Sequence, residues 1–67
     1  MEYLSGEDRR ELADLAQSLK DAYDTMEELY PKWRKAEVPD YLFDYLSKAQ
    51  EECMTARGRI LELLGAT

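Results

Sequence analysis

Arginine side chains near the two ends of the chain form the first candidate binding site. Arg9 and Arg10 lie close to the N-terminus, and Arg57 and Arg59 stand on either side of Gly58. A guanidinium group suits phosphate because its planar fork donates paired hydrogen bonds to two oxygens. If the two halves of the chain pair in antiparallel fashion, these four arginines form a candidate phosphate-binding cluster. Surface pairing with neighbouring glutamates is the simpler alternative.

A second candidate site lies in the middle of the chain, where aromatic and basic side chains alternate. Six of the seven aromatic residues fall in this region: Tyr23, Tyr30, Trp33, Tyr41, Phe43 and Tyr45. Lys32, Arg34 and Lys35 are interleaved with them. Such a mixture can stack on nucleotides, anchor a partner protein or simply close the end of a hydrophobic core. Tyr41, Phe43 and Tyr45 cannot all face one helix seam, so some should be exposed or in an oligomer contact.

The composition argues against the common catalytic chemistries. The chain has no histidine and one cysteine, so it can form neither a Ser-His-Asp set nor a Cys-His set, and a lone cysteine cannot hold zinc. Acidic residues occur in groups, but the E-x-x-E spacing typical of all-α nucleotide pyrophosphatases is absent. A charged solvent face explains these groups better. We therefore expect no enzymatic activity, no cofactor and no metal site.

The first half of the sequence predicts one amphipathic helix. Its apolar residues recur at alternating spacings of three and four, the pattern of a helical seam: Leu12, Leu15, Leu19, Ala22, Met26, Leu29 and Trp33. Ala16, Tyr23 and Tyr30 widen this stripe. Ser5 is a suitable N-cap, and Asp8 stands where a capping box needs an acceptor. Pro31 is expected to end the helix, which gives bounds of about 6–30.

The second half repeats the pattern and predicts a second helix of about 39–64. Its seam has the same alternating spacing: Leu42, Leu46, Ala49, Cys53, Ala56, Ile60 and Leu63. Pro39 suits the first helical turn, and Gly65 is expected to end the helix. The predicted fold is all-α, a single antiparallel hairpin domain over residues 1–67 with a short N-terminal segment. If Tyr30 meets Pro39 at the turn, Leu19 faces Gln50 and Leu12 faces Arg57.

The size of the chain favours self-association. A chain of 67 residues buries only about 60% of its unfolded surface and is marginal alone. No disulfide or metal is available to add stability, and each predicted helix has an apolar stripe wider than one neighbouring helix can cover. We therefore expect a homo-oligomer.

Two residues in the second helix need separate explanations. Cys53 lies on the predicted seam, where a free cysteine behaves as a small apolar side chain; a reactive thiol is the alternative. Gly58 costs about 1 kcal/mol relative to alanine inside a helix. Its presence is explained either by close approach of another helix or by room for a ligand beside Arg57 and Arg59.

Charge and hydropathy suggest an environment for the chain. A net charge of −6 argues against general nucleic-acid binding, which depends on neutralising phosphates. No apolar run reaches the ~18 residues that a transmembrane helix needs. The start MEYLSGEDRR lacks a basic and then apolar signal pattern. A single free thiol fits a reducing cytoplasm, so the expected location is cytoplasmic, without membrane attachment.

One stretch resembles a known protein family. The sequence LSKAQEECMTARGRI, residues 46–60, is similar to the second helix of the hairpin domain of phage anti-CBASS and anti-Thoeris proteins. The matching residues are Leu46, Ser47, Lys48, Gln50, Glu51, Met54 and Ala56. The turn here is longer, Thr55 stands where the family pattern has Trp, and the family's polar N-terminal lead-in is missing.

The resemblance implies a particular function. It implies a helical oligomer, with a hexamer as the family state, which sequesters cyclic nucleotide signals between its protomers without catalysis in the cytoplasm of a phage host. Tyr3 would stack on a base, Lys20 would meet phosphate, and Arg57 or Arg59 would hold phosphate at a second pocket. The alternative is an acidic helical protein-binding module, such as an antitoxin or an anti-CRISPR-like inhibitor, which acts through its aromatic region.

Overall fold

The chain folds as an antiparallel hairpin of two long helices. The computed structural model describes residues 4–66, and within them α1 spans Gly6–Lys35 and α2 spans Asp40–Ala66. No strand occurs in this part of the chain. The described structure therefore confirms the all-α hairpin that the two apolar seams predict.

The N-terminus of α1 is held by the predicted capping box. The amide of Asp8 donates to Ser5 Oγ at 3.0 Å, and the amide of Ser5 donates to Asp8 Oδ2 at 3.4 Å. Two backbone donors that the helix itself leaves unpaired are satisfied in this way. Glu7 and Asp8 also place negative charge in the first turn, where the helix dipole favours it. The start of α1 is thus set by local sequence.

The predicted end of α1 at Tyr30 is wrong, because the helix continues through Pro31 to Lys35. Proline has no amide hydrogen for the Glu27 carbonyl and costs about 3 kcal/mol inside a helix. Contacts beyond the proline offset this cost. The ring centroids of Tyr30 and Trp33 lie 6.0 and 5.9 Å from that of Phe43 on α2. Extending α1 by a further turn is what brings Trp33 to Phe43.

A tight turn after α1 reverses the chain. The amide of Val38 donates to the carbonyl of Trp33 at 3.0 Å, a bond that closes helices ending in a left-handed residue. That residue is Glu37, with a φ of 56°. Glycine usually occupies this conformation because a side chain costs about 1–2 kcal/mol there. The turn is therefore compact at the expense of local backbone strain.

The longer α1 changes which residues of the two helices lie side by side. Gln50 contacts Tyr23 and Glu27, so the predicted pairing of Gln50 with Leu19 is wrong by at least one helical turn. At the far end, Arg9 reaches the carbonyl of Leu64. The error follows from Pro31, since a helix ending at Tyr30 leaves a longer turn and shifts the two seams past each other.

The interface between the helices is a narrow seam. Only Ala16, Leu46 and Gln50 are buried among residues 4–65. In α1 the central row of the seam is Ala16, Tyr23 and Tyr30, which were predicted to lie at its edge, whereas the predicted seam residue Leu15 is 49% exposed. The α1 stripe is therefore rotated, with part of its apolar surface turned away from α2.

Candidate functional site

The aromatic cluster divides into a packed group and an exposed group. Tyr30 and Trp33 each pack against Phe43 and close the end of the hairpin. Tyr41 and Tyr45, one turn apart on α2, are 61% and 67% exposed. Their rings meet edge to face with centroids 6.2 Å apart. This division agrees with the expectation that these aromatics cannot all face one seam.

Polar contacts tie the two helices together beside the packed aromatics. The buried amide of Gln50 donates from Nε2 to Glu27 Oε2 at 2.8 Å and to the Tyr23 carbonyl at 3.3 Å. One turn along α2, Ser47 Oγ lies 2.5 Å from the Tyr30 hydroxyl. Burying an amide without partners costs several kcal/mol, so these bonds favour one register of α1 against α2. Sequence reasoning missed this role of Gln50, since glutamine carries no apolar signal.

Arg34 lies between two clefts at the turn end of the hairpin. One cleft, of about 530 Å³, is bordered by Glu27, Tyr30, Pro31, Arg34 and Gln50. The other, of about 320 Å³, is bordered by Tyr30, Arg34, Asp40, Phe43 and Asp44. Glu27 borders the first cleft, and Asp40 and Asp44 border the second. These carboxylates disfavour an anion within the two clefts.

A third cleft, of about 580 Å³, lies along α2. Its lining contains two cations and two carboxylates together with uncharged groups: Lys48, Glu51, Glu52, Thr55, Ala56, Arg59 and Ile60. The two signs of charge nearly cancel within the cleft. A ligand with both acidic and basic groups, or with neutral polar groups, would suit this cleft. Any other ligand would have to displace a carboxylate.

The residues predicted to bind a ligand have different surroundings. Arg59 is exposed at the α2 cleft, whereas Arg57, two residues earlier, is half-buried and points about 200° away. Lys20 of α1 pairs with Asp24 at 2.8 Å and lies 5.8 Å from the centre of the Tyr23 ring. Tyr3 lies outside the described residues. Arg57 and Arg59 of one chain therefore point apart, and a ligand that contacts both would have to lie between two protomers.

Arg9, one of the four arginines of the predicted cluster, contacts the C-terminal end of α2. Arg9 donates from its guanidinium to the carbonyl of Leu64 at 2.8 Å. Leu64 is seven residues beyond Arg57, or about 10 Å along a helix. Arg9 thus supports the C-terminal end of α2, where unpaired carbonyls favour a cation.

Neither Gly58 nor Cys53 marks a close contact within the hairpin. A Cβ built on Gly58 would have no atom within 4 Å, so α1 does not require glycine at this position. Cys53 is free and half-buried, in keeping with its predicted place on the seam. Neither finding points to a ligand at Gly58 or at Cys53.

The two flanks of the hairpin differ in chemistry. Residues seven apart on a helix point within about 20° of each other and form a row. We use the term apolar flank for two such rows: Leu15, Ala22 and Leu29 of α1, and Ala49, Ala56 and Leu63 of α2. The term polar flank denotes the opposite side of the seam, which carries Lys20, Glu27 and Gln50.

The Gln50 bond to Glu27 shows which rows share a flank. Glu27 lies to one side of the seam on α1, and Gln50 lies to one side of the seam on α2. Because the two side chains are hydrogen-bonded, these two sides form the same flank of the hairpin. The rows of Leu15 and Leu63 lie to the opposite side of the seam in each helix. These rows therefore share a flank. None of the six residues that define it is charged, although Asp8 precedes Leu15 by seven residues and Glu52 and Arg59 border the same cleft as Ala56.

Searches for a metal site and for a membrane span gave negative results within the described residues. No group of three or more Cys, Asp or Glu side chains in residues 4–66 is arranged to hold a metal ion. Neither of the two described helices has the length and apolar character to cross a bilayer. The candidate sites are thus the exposed tyrosines, the α2 cleft and the apolar flank.

Comparisons with known proteins suggest no function for this chain, so a function has to be argued from its side chains. No protein-family model, characterised protein or solved structure matches this chain. The resemblance over residues 46–60 accordingly stands on its own residues. Of these, Lys48, Glu51 and Ala56 border the α2 cleft, whereas Leu46 and Gln50 belong to the core of the hairpin.

Proposed function

We propose that the protein is a non-catalytic, cytoplasmic interaction module that works as a homo-oligomer and binds a partner protein. The observation that carries this proposal is the exposed pair formed by Tyr41 and Tyr45 near the turn. The single free thiol supports a reducing compartment. The antitoxin-like or inhibitor-like role is a form of this proposal.

The tyrosine pair is suited to protein recognition. Tyrosine is enriched among the few residues that dominate binding energy, because it contributes a large rigid ring and a polar hydroxyl. Tyr41 and Tyr45 already hold each other edge to face, so little side-chain freedom remains to be lost on binding. The hairpin itself is closed by Tyr30, Trp33 and Phe43. The exposed pair is therefore available to a partner.

The test is to remove the pair without disturbing the fold. The Tyr41→Ser, Tyr45→Ser double variant should keep its helix content and should lose the partner recovered with tagged wild-type protein from its own cells. With the purified partner, Kd should rise by about 30-fold or more, since an anchor residue contributes about 2 kcal/mol or more. The matched control is Asp44→Ser with Glu51→Ser, both exposed on α2. Equal loss in both double variants would reject the tyrosine pair as the anchor.

A second candidate function is sequestration of cyclic nucleotides, and one observation favours it. Three of the residues that match the family pattern, Lys48, Glu51 and Ala56, share a cleft with the candidate ligand residue Arg59. Lys48 and Arg59 would contact phosphate, and Tyr3 or a neighbouring protomer would supply the stacking ring. Glu51 and Glu52 oppose this use through their negative charge, so the candidate ranks second.

Calorimetry separates this second function from the first. The ligands are cyclic di- and trinucleotides and cyclic ADP-ribose, tested on wild type and on the single alanine variants of Tyr3, Lys20, Arg57 and Arg59. Loss of one charged phosphate contact should weaken binding by about 10- to 100-fold. Absence of binding by wild type at about 100 µM, equivalent to about 5.5 kcal/mol, would reject nucleotide sequestration and leave protein binding.

A further inference from the structure

The hairpin exposes more surface than a compact chain of its mass. A compact 7.8 kDa chain exposes about 4,400 Å², whereas this chain exposes 5366 Å². Its radius of gyration is 15.5 Å, compared with about 11 Å for a compact domain of this length. The extra exposure, about 1,000 Å², is more than the 800 Å² or so that each partner buries in a standard protein interface.

Of this exposed surface, the apolar flank is the part whose burial costs the least desolvation free energy. Leu15 and Leu63 are 49% and 41% exposed there, and the small residues Ala22, Ala49 and Ala56 leave shallow grooves beside them. Leucine ridges can enter grooves formed by alanines when helices pack. No charge has to be desolvated within the two rows. The flank therefore has the composition of a helix-packing surface.

The net charge of the chain points to this flank as a contact between copies. Each copy carries a charge of −6, so two copies repel each other, and a contact through uncharged residues adds least to that repulsion. The polar flank is a poorer choice, because it carries the Lys20–Asp24 ion pair and the Glu27 carboxylate. A second copy of the chain is also always present wherever the first copy is, at the same concentration.

From the exposed area and the uncharged rows, we propose that a second copy of this chain covers the apolar flank and that the dimer is a four-helix bundle. The contact is isologous, with the same two rows contributed by each copy. This inference rests on the proposed homo-oligomer and names its surface. Neither Tyr41 nor Tyr45 is one of the six flank residues, although Tyr45 lies one helical turn before Ala49. Each copy therefore keeps a tyrosine site at the turn end of the contact, and a dimer offers two of them for bivalent binding.

The chain supplies a matched pair of double variants for the test. Leu15→Gln with Leu63→Gln changes the apolar flank. Met54→Gln with Leu61→Gln changes residues that are 40% and 43% exposed on the other flank, in the row that begins with Ser47. Association is measured by sedimentation equilibrium over about 1–300 µM, with thermal unfolding followed at each concentration.

The proposal predicts a clear difference between the two double variants. Wild type should sediment as a dimer of 7.8 kDa chains, and its melting temperature should rise with concentration. The flank variant should raise the dimer Kd by about 100-fold or more, since it removes four leucines from one interface. The control variant should change this Kd by less than about threefold. A monomeric wild type at about 300 µM, or a dimer disrupted only by the control variant, overturns the proposal.

A second measurement covers the possibility that the flank variant does not fold. A new thiol is placed at Ala22→Cys on the apolar flank or at Gln17→Cys on the other flank, each in a Cys53→Ala background. Reaction of the thiol at position 22 with a labelling reagent should slow as concentration rises, while that at position 17 should not. Equal rates at every concentration reject the surface. The tyrosine variants should leave both results unchanged, so this proposal and the tyrosine site can fail separately.

Discussion

The turn end and the open end of the hairpin are held together by different means. At the turn end, Tyr30 and Trp33 pack on Phe43, and Gln50 bonds to α1. Toward the open end, the buried α1 residue is Ala16, and Arg9 reaches a backbone carbonyl. Aromatic rings and a buried amide join the two helices near the turn, whereas half-buried aliphatic residues such as Leu12 and Ile60 line the remainder of the seam. The difference indicates that the register is determined at the turn end.

Removing the aromatic contact at the turn should have the largest effect. Phe43→Ala eliminates the surface on which Tyr30 and Trp33 pack and should lower the free energy of unfolding by about 2–3 kcal/mol. Leu12→Ala, a half-buried control on the open half, should cost about 1 kcal/mol less. Urea unfolding measures both. Equal losses would contradict the contrast between the two ends.

Replacing the proline inside α1 should sharpen the same contrast. Pro31→Ala restores an amide donor for the Glu27 carbonyl, and the change should stabilise the hairpin by about 2 kcal/mol after allowing for the more flexible unfolded chain. Thermal unfolding followed by circular dichroism measures this gain. A loss of stability would show instead that Pro31 is needed to aim Trp33 at Phe43.

The strained turn residue offers a smaller gain. Glu37 has a positive φ of 56°, and Glu37→Gly should raise the free energy of unfolding by about 1 kcal/mol, because glycine adopts this conformation without a side-chain clash. Glu37→Ala serves as the control, since it removes the charge and keeps the strain. If Ala and Gly at position 37 stabilise equally, charge and not backbone strain explains the effect.

The smallest effect is expected on the open half. Gly58→Ala adds a methyl group to open space and should stabilise α2 by about 0.5–1 kcal/mol through helix propensity. Chemical denaturation at two protein concentrations tests it. A loss that grows with concentration would mean that another copy approaches Gly58 closely, which would move the contact away from the apolar flank.

Local sequence was sufficient to predict several parts of the fold. Ser5 and Asp8 determine the start of α1, and the alternating apolar spacings determine the two helices. The end of α1 could not be predicted in this way, because the cost of Pro31 is offset by contacts with Phe43 on the other helix. The register depended on that end, so the pairing of Gln50 was also mispredicted.

The candidate sites were predictable only in part. The sequence identified the crowded aromatics, but which of them pack depends on the final register, and this left Tyr41 and Tyr45 exposed. The contact of Arg9 with the Leu64 carbonyl was not predicted from the sequence, which suggested only a cluster of arginines at this end. Charge counting cannot distinguish a ligand site from a helix cap, because both use the same guanidinium chemistry.

Native mass spectrometry of the protein isolated gently from its own cells tests the central claim most directly. We predict a complex that contains two copies of the 7.8 kDa chain and a bound partner protein. The Tyr41→Ser, Tyr45→Ser variant should retain the two copies and lose the partner. A 7.8 kDa monomer without any partner, or an oligomer that carries only a small ligand of nucleotide mass, would contradict a protein-binding module.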